Sequence, residues 1–141
     1  MSLNEPIPLV FDMDGTLCDE SHNGDYANAI PYQHAIDRVN ELYRERDEFG
    51  HRLWKIVIQT ARYMKRQHGQ QEKAHQAGYV ELQDWLVGNG VKFDQLYFGK
   101  ASGAIYVDNR GCRVESSKGT TDWENVFAPM INQLRAERAQ L

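Results

Sequence analysis

Asp12 and Asp14 stand two residues apart in PLVFDMDGTLCDE, residues 8–20, directly after the apolar Val10 and Phe11. If strand geometry continues through them, both carboxylates point to the same side. Like charges at that spacing repel, so folding alone gives no reason for the pair, and something positive belongs between them. A carboxylate cluster selects a hard cation, and Mg²⁺ is the usual one where only one or two carboxylates contact the metal. The same cluster can attack phosphorus, because aspartate accepts phosphoryl groups in covalent catalysis.

Charge repulsion is the obstacle to that attack. One carboxylate against a phosphate dianion at ~4 Å costs about 8 kcal/mol at an effective dielectric near 20, about six powers of ten in rate. Mg²⁺ bridging Asp12, Asp108 and a phosphate oxygen removes much of this penalty, and Lys100 with Thr60 can hold the remaining oxygens. Gly15 lets the backbone turn and approach a ligand closely. Asp14 is then the second carboxyl, placed to protonate the leaving oxygen and later to activate water.

These residues need elements to bring them together. Residues 8–12 read as a short buried strand, with Pro8 tolerable at its first position. Residues 31–46 read as a helix, with Pro31 in the first turn and Ile36, Val39, Leu42 and Tyr43 at helical spacing. LWKIVIQT, 53–60, is a second buried strand. A helix over roughly 71–87 carries Leu82, Trp85 and Leu86 on one face, and Gly88 and Gly90 stop it. QLYFG and AIYVDN read as two more strands. The C-terminal segment opens with a capping box, Thr121 and Glu124, and Pro129 predicts a kink or restart in its helix. Strands alternating with helices imply a three-layer, Rossmann-like α/β fold, a parallel sheet between helices in one domain over residues 1–141. Ligands bind such sheets at the carboxyl ends of the strands. There Asp12, Thr60 and Asp108 each end a strand, and Lys100 lies in the loop before the last.

The motifs FDMDGTLC, IVIQTAR, Lys100 and AIYVDN, in this order over residues 8–110, resemble the four motifs of the haloacid dehalogenase (HAD) superfamily. The resemblance implies a Mg²⁺-dependent phosphatase with Asp12 as nucleophile and Asp14 as acid/base. It also implies metal held by Asp12, Asp14 (through its backbone carbonyl) and Asp108, and substrate held by Gly15, Thr60, Ala61, Arg62 and Lys100. Paired aspartates in the first motif resemble the phosphatase branch rather than the dehalogenases. QTARYM, the WL of the second helix and FGKASGAIYVDNRG further resemble a small group of bacterial capsule-biosynthesis phosphatases. The sequence departs from the superfamily at Asn109, where a second acid is common, and at GKASG in place of Lys-Pro. HAD enzymes often carry an inserted cap domain. Here the stretches between Leu17 and Lys55 and from Tyr63 to Gly99 each spend about half their length on a helix. What remains, chiefly residues 18–30, suffices for a flap only.

Composition sets the outer bounds. Apolar residues at 41% and charged residues at 26% are those of a globular protein. Acidic residues exceed basic ones, 20 against 16, for a formal charge of −4, which disfavours a dedicated nucleic-acid binder. The basic run at 62–73 keeps a nucleotide or polynucleotide phosphatase as the alternative to a phosphatase of sugar phosphates or phosphorylated glycans. A non-catalytic phosphate-binding protein of the same fold is the alternative of another class. Cys18 and Cys112 have no CxxC spacing and read as free thiols, with Cys18 disfavoured as a nucleophile beside Asp12. The histidines show no metal-ligand pattern, and Trp54, Trp85 and Trp123 read as core or rim residues. No signal peptide or membrane-length apolar run is present, so a cytoplasmic location is expected, with an oligomer compatible.

Overall fold

A computed structural model describes residues 5–19, 26–60, 71–98, 105–107 and 123–139. Its centre is strand β1, Ile7–Asp12, in which Ile7, Leu9 and Phe11 alternate with Pro8, Val10 and Asp12. Strand β2, Trp54–Thr60, runs parallel to it with Leu9 beside Ile56 and Asp12 beside Gln59. Strand β3, Gln95–Phe98, joins the outer side of β2, and β4, Ile105–Val107, joins the other side of β1. The order β3-β2-β1-β4 puts the strand bearing the aspartates in the interior of an all-parallel sheet.

Helix α1, Gln33–Arg44, buries Ala35, Ile36, Val39 and Leu42, the stripe expected of an amphipathic helix against a sheet. It starts later than expected, because Pro31 belongs to the preceding segment. Pro31 lies opposite Cys18 in a short antiparallel pairing whose bonds come from the Asp19 and Tyr32 N–H groups, so proline's missing donor costs nothing there. Helix α2, Gln71–Gly88, ends as its glycines predict. Gly90 takes φ +72°, its N–H donates to Val87 O and the Val91 N–H to Leu86 O, the paired bonds of a Schellman stop. Asn40 on α1 bonds both sides of that stop, donating to Gly90 O and accepting from Lys92 N–H, each at 2.8 Å.

The C-terminal segment restarts at the proline. A π-helical turn, Trp123–Phe127, runs into helix α3, Ala128–Arg138, and Pro129 lies in the first turn of α3, where the helix changes from π to α. Thr121 of the expected capping box lies outside the described residues. Trp123 stacks on Phe11 with ring centroids 6.1 Å apart, and Phe127 meets Trp123 edge-on at 4.8 Å.

Buried residues of all three helices share one cluster with Ile7, Leu9, Phe11, Trp54, Ile56 and Ile58. On the opposite face Val10 and Val57 are 0% and 3% exposed, with Tyr97 packed against them, so that face is covered as well. The arrangement is the Rossmann-like α/β sheet that the alternation of elements implies. No helix among the described residues is long and apolar enough to cross a membrane.

Candidate functional site

The carboxyl edge of the sheet is built around the turn that leaves β1. The Met13 N–H donates to Gln59 O at 3.1 Å, which carries the β1–β2 pairing one residue past the strand. The in–out alternation continues with it: Phe11 and Met13 are buried, whereas Asp12 and Asp14 are half-buried. The two aspartates therefore share one side of the chain, as their spacing implies. Beyond Asp14 the backbone folds back. Thr16 and Leu17 N–H groups donate to Met13 O at 3.3 and 3.0 Å, and the Gly15 N–H donates to Cys18 O at 2.8 Å. Gly15 at φ +83° makes this possible, in a region that a side chain at Cβ disfavours.

Thr60 closes β2 one residue past Gln59, so a hydroxyl-bearing residue ends the strand beside the aspartates; it is 1% exposed. Thr16, in the turn itself, is also 1% exposed, and its hydroxyl makes no hydrogen bond among the described residues. A buried hydroxyl without a partner is costly, and this one lies in the same turn as Asp14, two residues along the chain.

Residues 18–30 begin and end as a clasp. Asp19 N–H donates to Ile30 O at 2.9 Å, while Ile30 N–H donates back to the Asp19 carboxylate at 2.8 Å. The returning limb holds a short 3₁₀ turn, Tyr26–Asn28, and the Trp85 indole of α2 donates to Ala29 O at 3.1 Å. The flap expected from the sequence is thus tied to a helix on its return side. Residues 20–25 lie outside the described residues.

Of the residues expected to act, Asp12, Asp14, Gly15 and Thr60 come together at this edge. Ala61, Arg62, Lys100, Asp108 and Asn109 lie outside the described residues, as do the side chains of the basic run at 62–73. The strand that leads to Asp108 is in place: Val107, its predecessor in the chain, pairs with Phe11. Among the described residues no three His, Cys, Asp or Glu side chains form a metal cluster.

Three residues join the site that their types alone do not announce. Gln59 is the direct neighbour of Asp12 across β1 and β2 and of Tyr97 across β2 and β3. An amide next to the end of a largely apolar strand is the signal that could have found it. Cys18 is fully buried with Sγ 3.7 Å from Asp14 Oδ1 and 3.6 Å from Met13 O. Trp85 is a core residue, as expected, and also fastens the flap.

No protein-family model matches the chain, and no curated protein matches it. Among solved structures it is similar to a Vibrio cholerae protein known from its crystal structure. Identity is 26% and the TM-score 0.60, over 90% of this chain and 98% of that one. The fold is thus shared along nearly the full length of both. A D,D-heptose 1,7-bisphosphate phosphatase from B. bronchiseptica, complexed with magnesium and phosphate, matches 68% of this chain and 51% of its own at 13% identity and a TM-score of 0.43. That likeness is too distant to bear on activity.

Proposed function

We propose that the chain is a Mg²⁺-dependent phosphomonoesterase of the HAD type that works through an aspartyl-phosphate at Asp12, on a sugar phosphate or a phosphorylated glycan. One observation carries the reading: Asp12 and Asp14 sit on the same half-buried side of a tight turn at the carboxyl edge of a parallel sheet, beside the strand that ends in Thr60. A folding role does not require two adjacent like charges at that edge, whereas phosphoryl transfer requires both. The resemblance of the four motifs to HAD phosphatases supports the same assignment.

The residues present fit a magnesium ion. The donors at the turn are hard oxygens, and the buried Thr16 hydroxyl has no protein partner among the described residues. Asp12, Asp14 and Asp108 would hold the ion, and when bound it supplies the positive charge that lets a carboxylate meet a phosphate. The chain's own groups do the rest. Asp12 attacks phosphorus, forming an Asp12 O–P bond as the ester P–O bond breaks. Asp14, protonated, gives its proton to the leaving oxygen. It then takes a proton from the water that attacks phosphorus, so phosphate is released and Asp12 is restored. Thr60 and Lys100 hold non-bridging oxygens, with Ala61 and Arg62 beside them, and Gly15 keeps the backbone close to the ligand.

The flap is too short to form a cap domain, so the site suits a substrate with a bulky leaving group, or a neighbouring subunit that completes it. The resemblance to capsule-biosynthesis phosphatases supports a cytoplasmic enzyme acting on a carbohydrate phosphate. The test is hydrolysis of an aryl phosphate with Mg²⁺ and after exhaustive chelation, followed by a screen of sugar phosphates, nucleotides and 3′-phosphorylated oligonucleotides. Asp12→Asn should abolish turnover, because an amide cannot accept the phosphoryl group, and beryllium fluoride should form an adduct at Asp12. Activity that survives chelation refutes the metal assignment, and activity that survives Asp12→Asn refutes the nucleophile. Selective hydrolysis of oligonucleotides would replace the glycan reading.

A further inference from the structure

Cys18 is 0% exposed and lies four residues beyond Asp14, close enough for its thiol to reach the carboxylate. A buried cysteine ordinarily packs as a small hydrophobe. This one is also tied into the turn at three points. Its carbonyl accepts the Gly15 N–H at 2.8 Å, its Sγ lies 3.6 Å from Met13 O and 3.7 Å from Asp14 Oδ1, and its backbone pairs with Pro31 at the root of the flap. A thiol has one proton to donate, and Asp14 Oδ1 can accept it whether the carboxyl is ionised or carries its own proton on Oδ2. Asp14 is half-buried in the turn, and the thiol of a fully buried residue lies within reach of one of its two oxygens.

We propose that Cys18 is a positioning residue for Asp14: the thiol holds Oδ1, so that the proton delivered to the leaving oxygen travels on Oδ2. The proposal rests on the phosphomonoesterase reading, since it assigns the contact a part in that reaction. It changes no bond in the scheme above. Cys18 touches neither substrate nor phosphoryl group, and acts only by fixing the rotamer of the acid.

The test separates orientation of an acid from general damage by varying the need for one. 4-Nitrophenolate leaves with little help from a proton, whereas phenolate needs protonation. Single-turnover rates of phosphoryl transfer are measured with 4-nitrophenyl phosphate and phenyl phosphate for wild type, Cys18→Val and Cys18→Ser. General acid catalysis contributes 10²- to 10⁴-fold, and a misoriented acid forfeits part of that. Cys18→Val, which fills the space without a donor, should lose about 10- to 100-fold on phenyl phosphate and no more than about threefold on 4-nitrophenyl phosphate, with KM little changed. Cys18→Ser, which restores a donor, should recover most of the loss. Equal losses on both esters, no loss on either, or a serine variant as impaired as the valine overturns the proposal.

A second measurement does not depend on activity. In a Cys112→Ser background the infrared S–H stretch reports Cys18 alone; it should shift in Asp14→Ala and not in Asp12→Asn. An unmoved band in Asp14→Ala refutes the contact and the proposal together. A wild-type chain that hydrolyses neither ester but shows the band shift refutes the phosphatase reading, and with it the part assigned to the contact in that reaction, while the thiol–carboxylate bond itself stands.

Discussion

Among the described residues three glycines take the left-handed conformation, and Gly15 is the one in the candidate site. Gly15, Gly50 and Gly90 have φ +83°, +83° and +72°. Replacing any of them with alanine forces a Cβ into a region that costs an L-residue about 1–2 kcal/mol. The stiffer unfolded chain returns about 0.4–1 kcal/mol, leaving a net loss near 1 kcal/mol. In a chain of this size that is a fall of about 4 °C in Tm. At Gly50 and Gly90 an added Cβ meets nothing within 4 Å, so strain is the whole effect there. At Gly15 relief of the strain must turn the backbone whose N–H donates to Cys18 O, and Asp14 is the adjacent residue. A displacement of ~1 Å in a catalytic group costs on the order of 10²-fold in rate. The three alanine variants should therefore melt within a few degrees of one another. Gly15→Ala should lose about 100-fold in kcat on an aryl phosphate, while Gly50→Ala and Gly90→Ala stay within about twofold of wild type. Differential scanning calorimetry and steady-state kinetics on the same preparations decide it. A Gly15→Ala enzyme with near-normal kcat, or a Gly50→Ala enzyme equally impaired, refutes the link between this turn and the chemistry.

Asp94 binds Arg52 through both carboxylate oxygens, at 2.6 and 3.0 Å, and accepts the Ile56 N–H at 2.7 Å. Asp94→Ala should lower stability by about 3 kcal/mol and Asp94→Asn by about 1, read as urea midpoints, with kcat unchanged in the surviving fold. For Glu45, burial alone would raise the carboxyl pKa, but hydrogen bonds from Arg135 and Trp54 and the Arg135 charge outweigh it and hold the group below its ordinary 4.5. A depressed carboxyl stabilises above its unfolded value and loses that contribution as pH falls through the folded one. The stability gap between wild type and Glu45→Gln, open at pH 7, should therefore close as the pH drops below 4.5; a gap that stays constant to low pH rejects the ion pair as its source. If the flap is the main cover over the site, as proposed, small sugar phosphates should differ by no more than about tenfold in kcat/KM, the discrimination of one or two weak contacts. Trp85→Phe, which cuts the flap's tie to α2, should raise KM for a bulky substrate severalfold and leave Asp12 chemistry intact, as single-turnover rates will show.

Much of this edge was legible because it depends on periods of two. Alternation through VFDMD placed both aspartates on one side, and the structure keeps that alternation through Met13. Gly90 stopped α2 and Pro129 restarted α3 where their backbone preferences require. The contacts that were not legible need a register or a fold to exist. Gln59 meets Asp12 only because β2 pairs in parallel with β1 at one particular offset. The Cys18 thiol reaches Asp14 only because Gly15 turns the chain back on itself. Trp85 reaches Ala29 across 56 residues of sequence, which no local pattern encodes. Pro31 was misplaced for a related reason: as a lone signal it favours a helix start, and pairing with Cys18 overrode that preference. Lys100 and Asp108 remain the sequence's own proposals.

Among the described residues the two edges of the sheet are held by different kinds of force. At the amino edge, charged side chains lock the segments that enter the strands: Arg52 with Asp94, Arg135 with Glu45, and the buried Arg138 with Glu5 O and Asp47. These pairs use up the charge that they bring. At the carboxyl edge the turn after β1 is held by backbone bonds to Met13 O and Cys18 O. Those bonds are made by peptide groups, so replacing a side chain of Asp12 or Asp14 leaves them in place. The backbone bonds of the turn fix where Asp14 stands, and a fixed position for that residue is what the proposed reaction asks of this edge.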